Sequence, residues 1–327
     1  MITIDGSQKS GSGTIVRDAV PFSVLTGNKL HLKNIRNSRN KPGLRAQHLT
    51  GIEAAVRICE GIVEGGRIGS REITFRPGKV IRGGTYAFDI GTAGSTTMLA
   101  LSIIPLALFA TSPSHYTITG GLFQDYAPSV YHVKYVLLPL LRKMGAHIKI
   151  DITQPGYTPR GGGQLHVDVT PVKQCLKSLT LTERGRLATV KGIVLSSRLA
   201  KRGVTTRMAR ECSRILEKRG YRPVIERLSD TLDKPVYEKT ALQAGASLAV
   251  WALSETGCVV GADMAGAPGR AAEFIGRQVA HRLLQTLDTD ATVDEYIADQ
   301  LIPFAALASG ISSYKIPKIT EHIKTRL

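Results

Sequence analysis

The sequence predicts an α/β (α+β) fold: three repeated β-α-β-α-β units forming a large domain, with a small α/β domain inserted in the third repeat. Three observations predict it. The first half of the chain runs twice through the same order of strand-like and helix-like segments. In each run a glycine-rich turn follows the first strand. A third run begins and is then interrupted by a long stretch with its own rhythm. Such units lay their helices against one face of a mixed sheet.

The first unit opens with strand "ITID" and the turn "GSQKSGSG", then a helix from Thr14. Strand "KLHLKNI", helix "LRAQHLTGIEAAVRICEGIV" and strand "REITFRPG" complete it. The second opens with strand "TYAFDI" and turn "GTAGS", followed by helix "TTMLALSIIPLALFA" and strand "HYTITGG". Helix "SVYHVKYVLLPLLRKMG" and strands "HIKIDI" and "GGGQLHVDVTP" close it. In "LHVDV", apolar Leu165, Val167 and Val169 alternate with polar His166 and Asp168, so one face is buried.

The third unit is expected to open at "TVKGIVLSS" and to resume with helix "TVDEYIADQLIPFAALASG", strand "SSYKI" and helix "PKITEHIKTRL". By the pattern of the first two, a further strand would follow. Between these pieces lie a basic helix "AKRGVTTRMARECSRILEKRG", strand "RPVIER", a hairpin turning at "SETG", and helix "GRAAEFIGRQVAHRLLQTL". The expected organisation is a large domain of residues 1–183 plus 289–327 and an inserted small α/β domain of residues 184–288.

Composition narrows the partners. Forty-three Lys and Arg against 26 Asp and Glu give a net charge of +17 and a pI near 9.9, which attracts polyanions, nucleic acid above all. Aromatics are only 6%, which favours phosphate contact over base stacking. The N-terminus lacks the basic-plus-apolar pattern of a signal segment. The longest apolar run is shorter than the ~20 residues a membrane span needs, and Pro105 interrupts it. A cytoplasmic protein without membrane contact is the expectation. Cys59, Cys175, Cys212 and Cys258 lie far apart with no CxxC pair, so reduced thiols are expected rather than a zinc site or a disulfide framework.

Four stretches can carry chemistry. "DGSQKSGSGT" is either a tight structural turn or a loop whose amides converge on a phosphate, though it matches neither GxxxxGK[ST] nor GxGxxG. "NIRNSRNKPGLRAQHLT" crowds Arg36, Arg39, Lys41 and Arg45 around a Pro-Gly turn at a helix start, with Gln47 and His48 in the first turn. Cations and a helix N-terminus together favour a polyphosphate. "DEYIADQL" sets Tyr296, Asp299 and Gln300 at i, i+3 and i+4 on one helical face, able to hold a nucleotide or orient a histidine. His322 lies near Lys318, Lys324 and Arg326. With a reference pKa of about 6.5, imidazole can be an unprotonated nucleophile near neutrality, and nearby cations favour that form. No HxxxH or HxH pair suggests a histidine metal site.

Seven stretches in this order, "IDGSQKSGSGTIVR", "IRNSRNKPGLRAQHLT", "FRPGKVIRGG", "DIGTAGSTT", "PRGGGQLHVDVTPV", "EYIADQLIPFAALA" and "ITEHIKT", resemble the RNA 3′-terminal phosphate cyclase family over almost the whole chain. The resemblance implies ATP-dependent conversion of an RNA 3′-phosphate to a 2′,3′-cyclic phosphate through a covalent histidine–AMP intermediate, with pyrophosphate and AMP released. It implies His322 as nucleophile and AMP acceptor, with Asp299 and Gln300 as the polar pair beside it. It further implies Arg17, Arg36, Arg39, Gln47 and His48 near the phosphates or supporting the site. Pro128 and Tyr296 match the pair flanking the adenine. ATP, RNA with a 3′-phosphate end and a divalent metal (Mg or Mn) with unassigned ligands are the implied ligands.

The chain departs from the family pattern at four places. Ser10 and Thr14 stand where bacterial members carry the Glu and Gln of "GEGGGQ"; Leu101 replaces a glutamine; Arg326 replaces the Asn of "HxxTN". The family pattern also continues past this motif through a helix and a strand. The alternative reading is a non-catalytic cyclase-like RNA-binding protein in ribosome biogenesis; His322, absent from that branch, argues against it. Enolpyruvyl transferases share the repeated architecture, but their motifs are not evident. The cations Lys201, Arg202, Arg207 and Arg210 of the inserted segment are a candidate guide for RNA.

Overall fold

A computed structural model describes residues 1–327, and its fold is mixed α/β. The first sheet contains β1 (Ile2–Asp5), β2 (Leu30–Lys33), β3 (Ile62–Glu64) and β4 (Ile73–Arg76) in the order β1-β2-β4-β3. The second contains β5 (Gly84–Asp89), β6 (Ser114–Gly120), β7 (His147–Gln154) and β8 (Gly163–Thr170) in the order β5-β6-β8-β7. In each, the first two strands run parallel and the other two pairings are antiparallel, so the two sheets share one topology.

The helices follow from local signals. Ser12 caps α1 (Gly13–Thr26) and Gly27 ends it in the left-handed conformation. Helix α2 (Ala46–Cys59) is shorter than its apolar pattern suggested. Glu60 turns left-handed after it, and the next residues form β3 instead of a last helical turn. Every residue of α3 (Thr96–Leu108) is buried, as a core helix with no polar face must be. The next helical run is α4 (Val130–His132), a π turn over Val133–Leu137, and α5 (Leu138–Lys143). The widened turn carries the chain past Pro139, which has no N–H to give the ladder.

A pair of two-residue strands, β9 (Leu176–Lys177) and β10 (Thr180–Leu181), comes next. Then β11 (Leu187–Ser197), α6 (Val204–Glu217), β12 (Pro223–Asp230), β13 (Gly245–Ser254), β14 (Val259–Ala265) and α7 (Ala272–Leu287) follow. Strand β11 pairs with β12 and β13 in the sheet β12-β11-β13-β14. This corrects the expectation that "TVKGIVLSS" opens the third unit: it is a central strand of a sheet made with β12, β13 and β14. The run of apolar residues that suggested a core strand is satisfied there, buried between β12 and β13.

The chain ends with α8 (Glu295–Gln300), α9 (Ile302–Ala306), β15 (Ala308–Ser309), β16 (Ser313–Tyr314) and α10 (Glu321–Arg326). One long helix was expected over 292–310; Leu301 and Pro303 divide it into α8 and α9. Strands β15 and β16 run parallel to β9 and β10. The partners of these strands are residues 176–181, where four residues of strand were too short to give a period. One apolar core extends through the first two sheets, α1–α5 and α8–α10, and a second, of residues between Val190 and Leu287, lies under α6 and α7. All four cysteines are free thiols. No helix is long and apolar enough to cross a membrane.

Candidate active site

The first glycine turn and the last helix meet. Thr325 Oγ1 donates to Ser10 Oγ at 2.9 Å and accepts from Ser10 N at 3.2 Å, while Lys9 Nζ donates to the Lys324 carbonyl. Most amides of the turn are used within the protein: Gly6 N donates to Lys33 O, Ser7 N to Asp5 Oδ1 and Gly11 N to Gln8 O. Of its two sequence readings, the turn is thus a dock for α10 more than an open phosphate cradle.

That dock fixes His322, which is half-buried. Its Nδ1 lies 3.1 Å from Thr14 Oγ1, and Thr14 Oγ1 in turn accepts from Arg17 Nη2 at 3.0 Å. Thr14 occupies Nδ1, which leaves Nε2 as the ring nitrogen free for chemistry. Burial holds the imidazole below its ordinary pKa; Asp299 pulls the other way, and Arg17, Arg326 and Arg39 push it down further. The ring is therefore neutral at neutral pH. Arg17 is itself buried, and burial with the charge of Arg326 brings it down to about 10, so it stays cationic.

Arg326 is the clamp. Its side chain is 5% exposed and grips Asp18 with Nε at 2.8 Å and Nη2 at 3.2 Å. Its Nη1 donates to the Asp299 carbonyl and lies 3.4 Å from Asp299 Oδ2. Gln300 Nε2 donates to Asp299 Oδ1 at 3.1 Å. Asp299 makes no hydrogen bond to His322, so it acts on the ring through charge while Thr14 sets its orientation. Burial raises the Asp299 carboxyl above the usual range, with Arg326 and His322 opposing.

The remaining predicted residues occupy two further places. His48 is buried against the first turn; a Cβ on Gly13 would fall 2.0 Å from His48 Nε2, so only glycine fits there. Burial, then Arg17, Arg36 and Arg45, push His48 down to about 3, and its Nδ1 accepts from Arg45 N at 3.2 Å. Gln47 reaches the second glycine turn, where its Oε1 accepts from Ser95 N at 3.1 Å. Arg17, Gln47, His48 and Ser102 line a cavity of about 10 Å³, which holds at most one water and no nucleotide. Arg36 donates to the carbonyls of Lys41 and Gly43, both at 2.8 Å, and so shapes its own loop. Arg39 is exposed and makes no ion pair.

Tyr296 is at the opposite end of α8, edge-on to His132 with ring centroids 6.2 Å apart. A cleft of about 560 Å³ opens there, lined by Tyr296, Arg282, Glu295 and Lys318 among others. Pro128 is buried, its carbonyl bound by Thr97 Oγ1 at 2.8 Å, and does not line that cleft.

Sequence reasoning missed Thr14 as a partner of His322, the Asp18–Arg326 clamp and the node at His132. Fully buried His132 lies between Asp294, 3.2 Å from Nε2, and Asp263, 3.7 Å from Nδ1. Only a partner for the substituted Arg326 could have been sought from sequence, since an arginine replacing an asparagine demands an acid.

No group of three or more His, Cys, Asp or Glu side chains is arranged to hold a metal ion. The carboxylates of Asp18 and Asp299 are both engaged by Arg326. This donor set does not fit a protein-held divalent metal.

Comparison with known proteins gives a consistent result. The family description "RNA 3′-terminal phosphate cyclase" matches residues 8–327. The chain is similar to an RNA 3′-terminal phosphate cyclase of Caldivirga maquilingensis, 38% identical over 100% of this chain and 91% of that protein. Similar proteins of the same name occur in Staphylothermus marinus, 37% identical over 100% of this chain and 90% of the relative, and in Archaeoglobus fulgidus, 39% over 99% and 93%.

Proposed function

Since the chain belongs to the RNA 3′-terminal phosphate cyclase family, a family of enzymes, we propose that it converts an RNA 3′-phosphate into a 2′,3′-cyclic phosphate at the cost of one ATP, with His322 as the covalent AMP carrier. Nε2 of His322 attacks the α-phosphorus of ATP, the P–O bond to the β-phosphate breaks and pyrophosphate leaves. A terminal phosphate oxygen of the RNA then attacks the same phosphorus, breaking the N–P bond and freeing the histidine. The adjacent 2′-hydroxyl attacks the activated 3′-phosphorus, its proton passes to solvent, and AMP departs.

The observation that carries this reading is the setting of His322: Nδ1 held by Thr14, Nε2 free, and the ring kept neutral by burial and by Arg17, Arg326 and Arg39. In-line displacement at phosphorus requires alignment and charge neutralisation above all. Helix α10 supplies the alignment, and the arginines supply the charge. On this reading ATP is the adenylate donor, and a divalent metal enters on its phosphates, because Mg²⁺ is usually held through substrate phosphates and waters.

The test is incubation with α-labelled ATP, with and without a divalent metal. Acid-labile label should remain on the protein and disappear in His322→Ala. Label that persists unchanged in that variant overturns the assignment. RNA binding without any label or any stabilisation by ATP would favour the non-catalytic, RNA-binding alternative.

A further inference from the structure

The basic loop beside the active site does not stand alone. Residues 65–72, which join β3 to β4, are stitched to it: Leu44 N donates to Ser70 O at 2.9 Å, Gly69 N to Leu44 O at 2.8 Å and Ile35 N to Arg71 O at 2.9 Å. The two loops also touch backbone to backbone, since a Cβ on Gly43 would lie 2.2 Å from Gly69 O. Gly43 has φ +78°, so that position needs glycine twice over. Three hydrogen bonds and a glycine contact make the loops one plate.

The charge on this plate is uncompensated. Arg36, Arg39, Lys41 and Arg45 come from one loop, Arg67 and Arg71 from the other, and none pairs with a carboxylate. The nearby acids are taken: Glu72 lies 2.5 Å from His31 and Glu64 is 3.2 Å from Arg76. Ile68 at the tip is 56% exposed, an apolar surface among cations. A cleft of about 620 Å³ follows the hairpin loop.

The inserted segment offers a rival basic face on α6 and α7, beside a cleft of about 650 Å³. There four of the cations are already neutralised, while Arg210 and Lys218 keep their charge unpaired. Arg207 holds Glu273 at 2.6 Å, Arg214 and Arg277 share Glu211, and Arg219 holds Asp288. A phosphate arriving at any of those four must displace a carboxylate, whereas one arriving at the hairpin need not. The plate also begins at the chemistry, because the charge of Arg39 reaches His322.

We infer that the 65–72 hairpin loop carries the RNA strand upstream of the reacting end, with Arg67 and Arg71 contacting backbone phosphates and Ile68 an unstacked base. The inference rests on the cyclase reading for its ligand. Single-stranded RNA releases counterions on binding, and log K falls with log salt by about 0.7 per phosphate contacted.

The test uses the full chain and an Arg67→Ala/Arg71→Ala double variant. Two 3′-phosphorylated probes, a dinucleotide and a decamer, are titrated by fluorescence anisotropy over a range of salt. The decamer should bind the variant more weakly, with its salt slope flattened by about 1.4. Dinucleotide affinity should stay at the parent value. An unchanged decamer slope, or an equal loss for both probes, overturns the inference. So does an Arg210→Ala/Lys218→Ala variant that flattens the slope while the hairpin variant does not. A parent protein that binds neither probe sinks the cyclase reading as well, which separates that failure from failure of the hairpin alone.

Discussion

Among single residues, the imidazole of His322 depends on a hydroxyl. Thr14 is the group that takes Nδ1 and is itself fixed by Arg17. Thr14→Val keeps the shape and removes that bond. Leaving a partly buried polar atom unpaired costs about 1–3 kcal/mol, so the rate of histidine adenylylation should fall by about five- to 150-fold. Thr14→Ser should retain most of it; equal losses in both variants would mean the hydroxyl does not orient the ring. The pH profile is a second check. The attacking form is neutral imidazole, so the rate rises with pH through the His322 pKa and then levels off. Burial and the arginines place that midpoint below the ordinary value of about 6.5. Arg39→Ala removes one positive charge, so the midpoint should move to higher pH, and a profile that stays put would exclude Arg39 from the site's field. His322, Asp299, Gln300, Arg17 and Arg39 could be proposed from the sequence because the family motifs mark them. Thr14 was not legible as a partner. It is 308 positions away along the chain, and nothing in a threonine after a glycine turn announces what will be folded onto it.

The site's secondary-structure elements are short, and α10 has only six residues. Such a helix does not hold itself in water. Arg326 supplies the attachment by bridging α10 to Asp18 of α1 and Asp299 of α8. Arg326→Ala leaves two part-buried carboxylates without the guanidinium that grips them, a change that costs about 3–5 kcal/mol for a buried pair. Hydrogen exchange should then show the amides of α10 losing protection while those of α3 keep theirs, and adenylylation should fall with the docking of α10. Arg326→Lys should not rescue, because the ammonium cannot reproduce the two-pronged grip on Asp18. Full rescue by lysine would reduce the clamp to a point charge. Legibility at this scale followed length. Strands such as β8, with a clean alternation, and helices such as α3 were readable. Strand β3 was hidden inside an apolar run that continues from α2, because periodicity cannot see the left-handed Glu60 that stops the helix. Strand β11 was readable as a strand but not as a member of the inserted sheet, since pairing partners are a property of tertiary contacts and not of the segment.

The molecule as a whole has a seam where the sheet of β11–β14 meets the region around α4 and α8, and we propose that residues 184–288 form a domain packed across it. The seam is polar at its centre. Asp263 from β14 accepts from Ser129 N at 2.6 Å, Asp294 caps α8 and accepts from Gly261 N at 2.9 Å, and His132 lies between the two carboxylates. Burial alone would push His132 down, but the charges of Asp294 and Asp263 outweigh it and raise the imidazole to about 10. In the unfolded chain the same group titrates at about 6.5. A group whose pKa is raised by folding contributes fully below the unfolded value and loses that contribution as pH climbs through the folded one. The stability of this protein should therefore decline between about pH 6.5 and 10, and His132→Asn should be less stable at the acid end and show a flatter dependence. The chain carries its own reporter, because its single tryptophan, Trp251 of β13, stacks on Tyr135 with centroids 4.5 Å apart and parallel rings. Urea titrations followed by Trp251 fluorescence read the seam directly. A parent curve no steeper in pH than that of His132→Asn would mean that the histidine is neutral in the fold and that the seam is held by packing alone. If the two curves separate as expected, the ion triad couples the inserted segment to α8, whose other end carries Asp299 and the setting of the nucleophile.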